Sequence, residues 1–253
     1  MSEGIGMMSP MTPSEPPSAT WSEVIKTTAR LLTFRASETE LASLGSKHLL
    51  FGLVCTWIVG IGRYWDNPRV GLLQHLGIGS VVYIFALALL LWLVAWPLKP
   101  KHWSYSNVVT FVALVSPPAA LYAIPVEKFF SLDTADFINV WFLAIVALWR
   151  VALLIYFMRV AGRLSAGSVI VASFLPLTLI VVALSSLNLE KAVFSFMGGL
   201  SEQTPNDGAF AILLLLSVFS VLMFVPLLLV YLVLIVLNRT TKQSDAKSAR
   251  ELG

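Results

Sequence analysis

The chain has 253 residues, of which 57% are hydrophobic and only 12% charged, with a formal net charge of +3. A soluble domain carries charge on about a quarter of its positions, so this balance excludes an ordinary water-soluble fold. The Lys and Arg residues flank apolar runs instead of forming a patch interleaved with aromatics, which excludes a nucleic-acid surface and points to lipid headgroups as partner.

Residues 1–19 hold Pro10, Pro13, Pro16 and Pro17 and no apolar h-region. They read as a disordered cytoplasmic tail without a cleavable signal. Residues 20–46 read as an amphipathic juxtamembrane segment. Thr20 and Glu23 form a capping-box pattern ahead of Trp21, Val24, Ile25, Leu31 and Leu32, with Lys26, Arg30 and Arg35 among them. Such a helix either lies in the interface against anionic headgroups or packs on the cytoplasmic loops of its own chain. Ser37 with Glu40 repeats the cap and leads into the first span.

Residues 47–238 are expected to form an all-α, polytopic transmembrane bundle. Six apolar runs, near 48–65, 73–97, 107–126, 137–159, 167–188 and 209–237, suit a hydrocarbon core of about 30 Å. The last exceeds that thickness, and Pro226 offers a bend. With the N-terminus inside, inner segments carry Lys26, Arg30, Arg35, Lys47, Lys99, Lys101, Arg159, Arg163, Arg239, Lys242, Lys247 and Arg250. Outer loops carry only Arg63, Arg69, Lys128 and Lys191. That bias predicts an even number of spans with both ends in the cytoplasm, and 239–253 as a cytoplasmic polar tail.

Arg150 is the one ionisable residue deep within an expected span, and no Asp or Glu lies at similar depth. A charge there is costly without partners. Proline at position i leaves the carbonyl of i−4 without its donor. Pro117 and Pro118 thereby free Ala113 and Leu114, Pro176 frees Ala172, and Pro226 frees Leu222. Arg150 is therefore expected to donate to carbonyls around Ser116, Pro117 and Pro118, in an intramembrane polar hub that draws on Pro176 and Pro226. The alternatives are a side chain snorkelling toward Arg159 and the inner headgroups, and a water-lined substrate path.

Gly52, Thr56 and Gly60 make a small-residue stripe on the first span, which suits close helix packing within the bundle or between protomers. The outer loop 62–69 gathers Arg63, Tyr64, Trp65, Asp66, Asn67, Pro68 and Arg69 and reads as an interface anchor or a ligand-binding loop. Asp133 or Asp136 is expected to cap the fourth span, and 198–208 to be a turn-rich connector. His48, His75 and His102 are scattered, and Cys55 is the only cysteine, so neither a metal site nor a disulfide is expected. No motif for a cofactor, a nucleophile or paired catalytic carboxylates is found.

An N-terminal amphipathic stretch followed by a compact bundle with short loops, including Trp149-Arg150 through Gly162 and then Ser165, resembles the bacterial branch of the Yip1-like membrane proteins. The short polar motifs of the eukaryotic trafficking members are missing, so the resemblance implies no vesicle-trafficking role. It implies a multi-pass protein of the bacterial inner membrane, non-enzymatic, that organises or recruits protein partners or forms a homo-oligomer. The alternative is a small transporter or channel for an anionic solute built on proline-broken helices around Arg150; a membrane-embedded enzyme is a third reading.

Overall fold

The computed structural model describes residues 19–63, 72–187, 189 and 207–251. The tail up to residue 18, loop residues 64–69, Lys191 and the connector 198–206 lie outside the described residues, as do the side chains of Glu127, Asp133 and Asp136.

The described residues form helices and no strand. In chain order these are α1 (Trp21–Leu32), α2 (Glu38–Ala42), α3 (Ser46–Gly62), α4 (Leu72–His75), α5 (Ile78–Ala95), α6 (Tyr105–Leu114), α7 (Leu132–Val160), α8 (Ala166–Ser186) and α9 (Asp207–Glu251). Turns of 3₁₀ helix occupy Trp96–Leu98, Pro117–Ala123 and Val126–Lys128. Five helical segments are long and apolar enough to cross a membrane: Ile78–Leu98, Tyr105–Ala123, Phe137–Val160, Ala166–Ser186 and Leu214–Asn238. These are the apolar helices of an integral membrane protein.

The expected first span is the exception. Its helix, α3, has 17 residues, or about 26 Å at 1.5 Å each, short of a core of about 30 Å. The second starts at Ile78 and not near 73, because Gly77 breaks the chain with a left-handed φ of 66°. A Cβ there would lie 2.8 Å from the Trp57 carbonyl oxygen and 2.9 Å from Ile61 N, so only glycine lets α5 begin so close to α3. The third is two pieces, α6 and the 3₁₀ run after Ser116, as two consecutive prolines require. The N-cap position of the fourth is Ser131 and not an aspartate; α7 begins at Leu132, which puts Asp133 and Asp136 inside its first turns. The last continues without a break from Asp207 through Pro226 to Glu251, so residues 239–251 are helical too.

α6 is the innermost element, buried from Asn107 through Leu114. α3 and α5 pack against it, α7 against its 3₁₀ continuation, α8 against α7 and α5, and α9 chiefly against α8. Phe111 of α6 stacks on Phe157 of α7 with centroids 4.1 Å apart. The N-terminal segment is no appendage to this core, since Leu31, Ala36, Leu41 and Leu44 join the same cluster as Leu91, Phe111 and Phe157.

Candidate functional site

The small-residue stripe brings α3 onto the broken span. A Cβ on Gly52 would lie 2.8 Å from both the carbonyl carbon and Cβ of Ala113, and one on Gly60 would lie 2.7 Å from Ser80 Oγ. Gly52 and Gly60 therefore make their close contacts within this chain, with α6 and α5. Between them Thr56, buried, donates to Gly52 O at 2.8 Å and accepts from the Ser116 hydroxyl, whose Oγ lies 2.7 Å away at the break itself.

At that break the backbone tightens. Ser116 N donates to Ala113 O at 3.2 Å and Ala119 N to Ser116 O at 2.9 Å. In an unbroken helix Ala119 N would have bonded Val115 O. Arg150, half-buried on α7, takes that place: its Nε donates to Val115 O at 3.2 Å. The bond runs across to the neighbouring span and not down α7 toward Arg159. Proline displacement had pointed to Ala113 and Leu114; the shift to i→i+3 bonding closes Ala113 O on Ser116 N and opens Val115 O.

Two tyrosines, which the proline argument did not reach, complete the surroundings. Tyr122 of the 3₁₀ run and Tyr83 of α5 are within electrostatic reach of Arg150, and Arg63 at the end of α3 lies over the Tyr122 ring, 4.8 Å from its centroid. The expected hub is smaller in one respect. Pro176 is fully buried in α8, and Pro226 is exposed on α9. No hydrogen bond among the described residues joins either one's span to Arg150. A proline frees a carbonyl on whichever face it falls, and Leu222, four residues before Pro226, is 63% exposed.

A second polar cluster lies at the basic end of the bundle, where the N-terminal segment docks. α1 starts with the Thr20–Glu23 capping box, and Lys47 Nζ ties its beginning to α3 through Ala19 O at 2.9 Å. It ends where Arg35 N bonds Arg30 O and Phe34 N bonds Leu31 O, a Schellman motif with Phe34, in place of glycine, at φ 59°. The chain then runs along α7. Trp149 Nε1 donates to Leu32 O at 3.0 Å, Tyr156 OH donates to Ala36 O, and the Phe34 and Tyr156 rings meet edge to face.

The Ser37–Glu40 capping box then sets Glu38 at the first helical position of α2, facing the loops that follow α5 and α7. Arg163 grips its Oε2 with Nε at 2.8 Å and with Nη2, Lys101 Nζ reaches Oε1 at 3.0 Å, and His102 Nε2 stands 3.6 Å away. These hydrogen bonds from Arg163 and Lys101 hold the Glu38 carboxyl down at about 2. Glu40 pairs with Arg30 at 3.1 Å, and the Ser37 amide lowers its carboxyl as the Thr20 amide lowers that of Glu23. Sequence reasoning missed the Glu38 cluster because it took these cations only as topology markers. Its one legible sign was two short loops, each with a basic residue beside Pro100 or Gly162.

Of the histidines, His48 accepts from Gly45 N at 3.3 Å as part of the α3 cap, and His102 belongs to the Glu38 cluster. Among the described residues no group of His, Cys, Asp or Glu could hold a metal ion. No family model, no curated protein and no solved structure matches the chain, so its function is argued from this geometry.

Proposed function

We propose that the chain is a non-enzymatic integral membrane protein of the Yip1-like type, in the inner membrane of a bacterium, that organises or recruits partners through its N-terminal arm. In this reading α3 is a sixth, short span, both ends face the cytoplasm, and the basic end of the bundle is the inner face. A short span is accommodated by local thinning of the bilayer. The observation that carries the proposal is the docked arm. Val24, Thr27, Thr28 and Leu31 are buried against the bundle, while Trp21 and Ile25 remain 51% and 55% exposed. An arm held firmly by the body that still displays an aromatic and an aliphatic side chain beside Lys26 suits a membrane interface or a partner protein.

A second reading, a carrier or channel for an anionic solute, is favoured by the half-buried Arg150 with Tyr83 and Tyr122 around it. Against it, Thr56 bonds Ser116 and Arg150 bonds Val115 O at the break, as in a packed interior. Liposomes loaded with chloride or phosphate test the pair. The organiser reading expects no efflux above protein-free vesicles, and efflux abolished by Arg150→Leu overturns it. For topology, Ser2→Cys and Leu252→Cys in a Cys55→Ala background should react with an impermeant maleimide from the same side; reaction from opposite sides rules out six spans.

A further inference from the structure

Lys101, His102 and Arg163 place two permanent cations and an imidazole around one carboxylate, more positive charge than Glu38 balances. The three side chains remain 52%, 38% and 61% exposed. An ammonium has three donors and a guanidinium five, so Glu38 leaves several of them open to a further anion.

The backbone around these side chains is held tighter than tethering a five-residue helix requires. Lys99, His102 and Arg163 adopt left-handed φ values of 54°, 51° and 49°. That conformation is strained for a residue with a Cβ and persists only where its surroundings impose it. Here Lys101 N donates to Gly162 O at 2.9 Å, Asn107 Nδ2 donates to His102 O at 3.1 Å, and a Cβ on Gly162 would lie 3.2 Å from Pro100 Cβ. Two loops from different helix pairs are thus pinned into one bracket with its cations set in advance.

A rigid, over-charged bracket suits an anion with more charge and more acceptor oxygens than a carboxylate, and a phosphate monoester has both. We propose that Lys101, His102 and Arg163 form a binding site for a phosphate monoester, in which Glu38 is the resident intramolecular ligand and whose filling loosens the N-terminal arm. By linkage, whatever factor Glu38 docking takes from phosphate affinity, phosphate takes from arm docking. The proposal rests on the arm being the working part of the protein.

The test uses the full chain in nanodiscs, with two probes: phosphatidic acid in the bilayer, and inorganic phosphate added to phosphatidylcholine discs. Glu38→Gln should bind a probe at least ~5-fold more tightly than wild type, and Lys101→Gln with Arg163→Gln should lose it. Glu38→Asp, which keeps the charge on a shorter arm, should fall between if Glu38→Gln does not fold. A spin label at Ile25→Cys in the Cys55→Ala background should gain mobility as the probe saturates wild type. Tightening with phosphatidic acid alone makes a lipid headgroup the ligand; tightening with inorganic phosphate as well makes it a soluble phosphate. Equal affinity in wild type and Glu38→Gln, or a label insensitive to the probe, overturns the site. Arg150-dependent efflux would sink the organiser reading, whereas equal affinities sink this site alone, so the two failures are distinguishable.

Discussion

The indole of Trp149 donates to the backbone carbonyl of Leu32 at 3.0 Å, joining the end of the first helix to the middle of α7 across 117 residues of sequence. Trp149→Phe removes the donor and keeps an aromatic ring. The Leu32 carbonyl is then without its partner, and the protein should lose about 1 kcal/mol of stability, read as a lower thermal midpoint in detergent. A midpoint equal to wild type would mean that the arm does not depend on this contact.

Gly52 and Gly167 form a matched pair for testing helix approach. A methyl group on Gly52 would meet the α6 backbone at 2.8–2.9 Å, whereas nothing lies within 4 Å of one on Gly167. Backbone cannot turn aside as a side chain can, so Gly52→Ala should cost about 1–3 kcal/mol, while Gly167→Ala should be neutral or slightly stabilising. Thermal midpoints of the two variants check this, and equal values would contradict the α3–α6 packing.

Arg150→Leu leaves Val115 O without the donor that the broken span gave it. If the guanidinium is a structural tie, the variant should lose about 1–3 kcal/mol, and Thr56→Val, which removes the bond to Ser116, should lose about 1 kcal/mol. Retained or increased stability in Arg150→Leu would rule out the structural tie and shift weight to transport.

Acid should undock the arm. The Glu38 carboxyl is held at about 2, below its ordinary 4.5. A depressed carboxylate stabilises the fold fully above the unfolded value, and this contribution fades as pH falls from about 4.5 toward about 2. Limited proteolysis with an acid-active protease of aromatic and leucine specificity should therefore cut around Leu32 and Phe34 more readily across that window. In Glu38→Gln the same sites should be readily cut throughout that window, and a wild-type profile with no acid dependence would refute the contribution.

The apolar runs were legible because a bilayer demands length and uniform hydrophobicity, both one-dimensional properties. Both capping boxes were equally readable, being patterns of four residues. The polar break at Pro117 and Pro118 could be placed from the missing amides, and a lone Arg150 needed an acceptor. What failed depends on where faces point. Pro226 frees a carbonyl as surely as Pro118 does, but on a helix that packs chiefly on α8. Glu38 could not be matched with Lys101 and Arg163 because its partners are 63 and 125 residues away, joined only by the way two loops fold onto each other. The early start expected for the second span missed Gly77, whose left-handed turn answers to Trp57 and not to its own neighbours.

The extended stretch between α1 and α2 touches α7 at Trp149 and Tyr156, and α2 then meets Arg163 just beyond that helix. These partners are synthesised more than a hundred residues after the arm itself. At about 5–20 residues per second, the ribosome leaves the arm waiting on the order of ten seconds with Leu31 and Leu41 uncovered. An arm made well before its partners is thus among the last parts to find its seat, and a truncation anywhere before α7 strands it there.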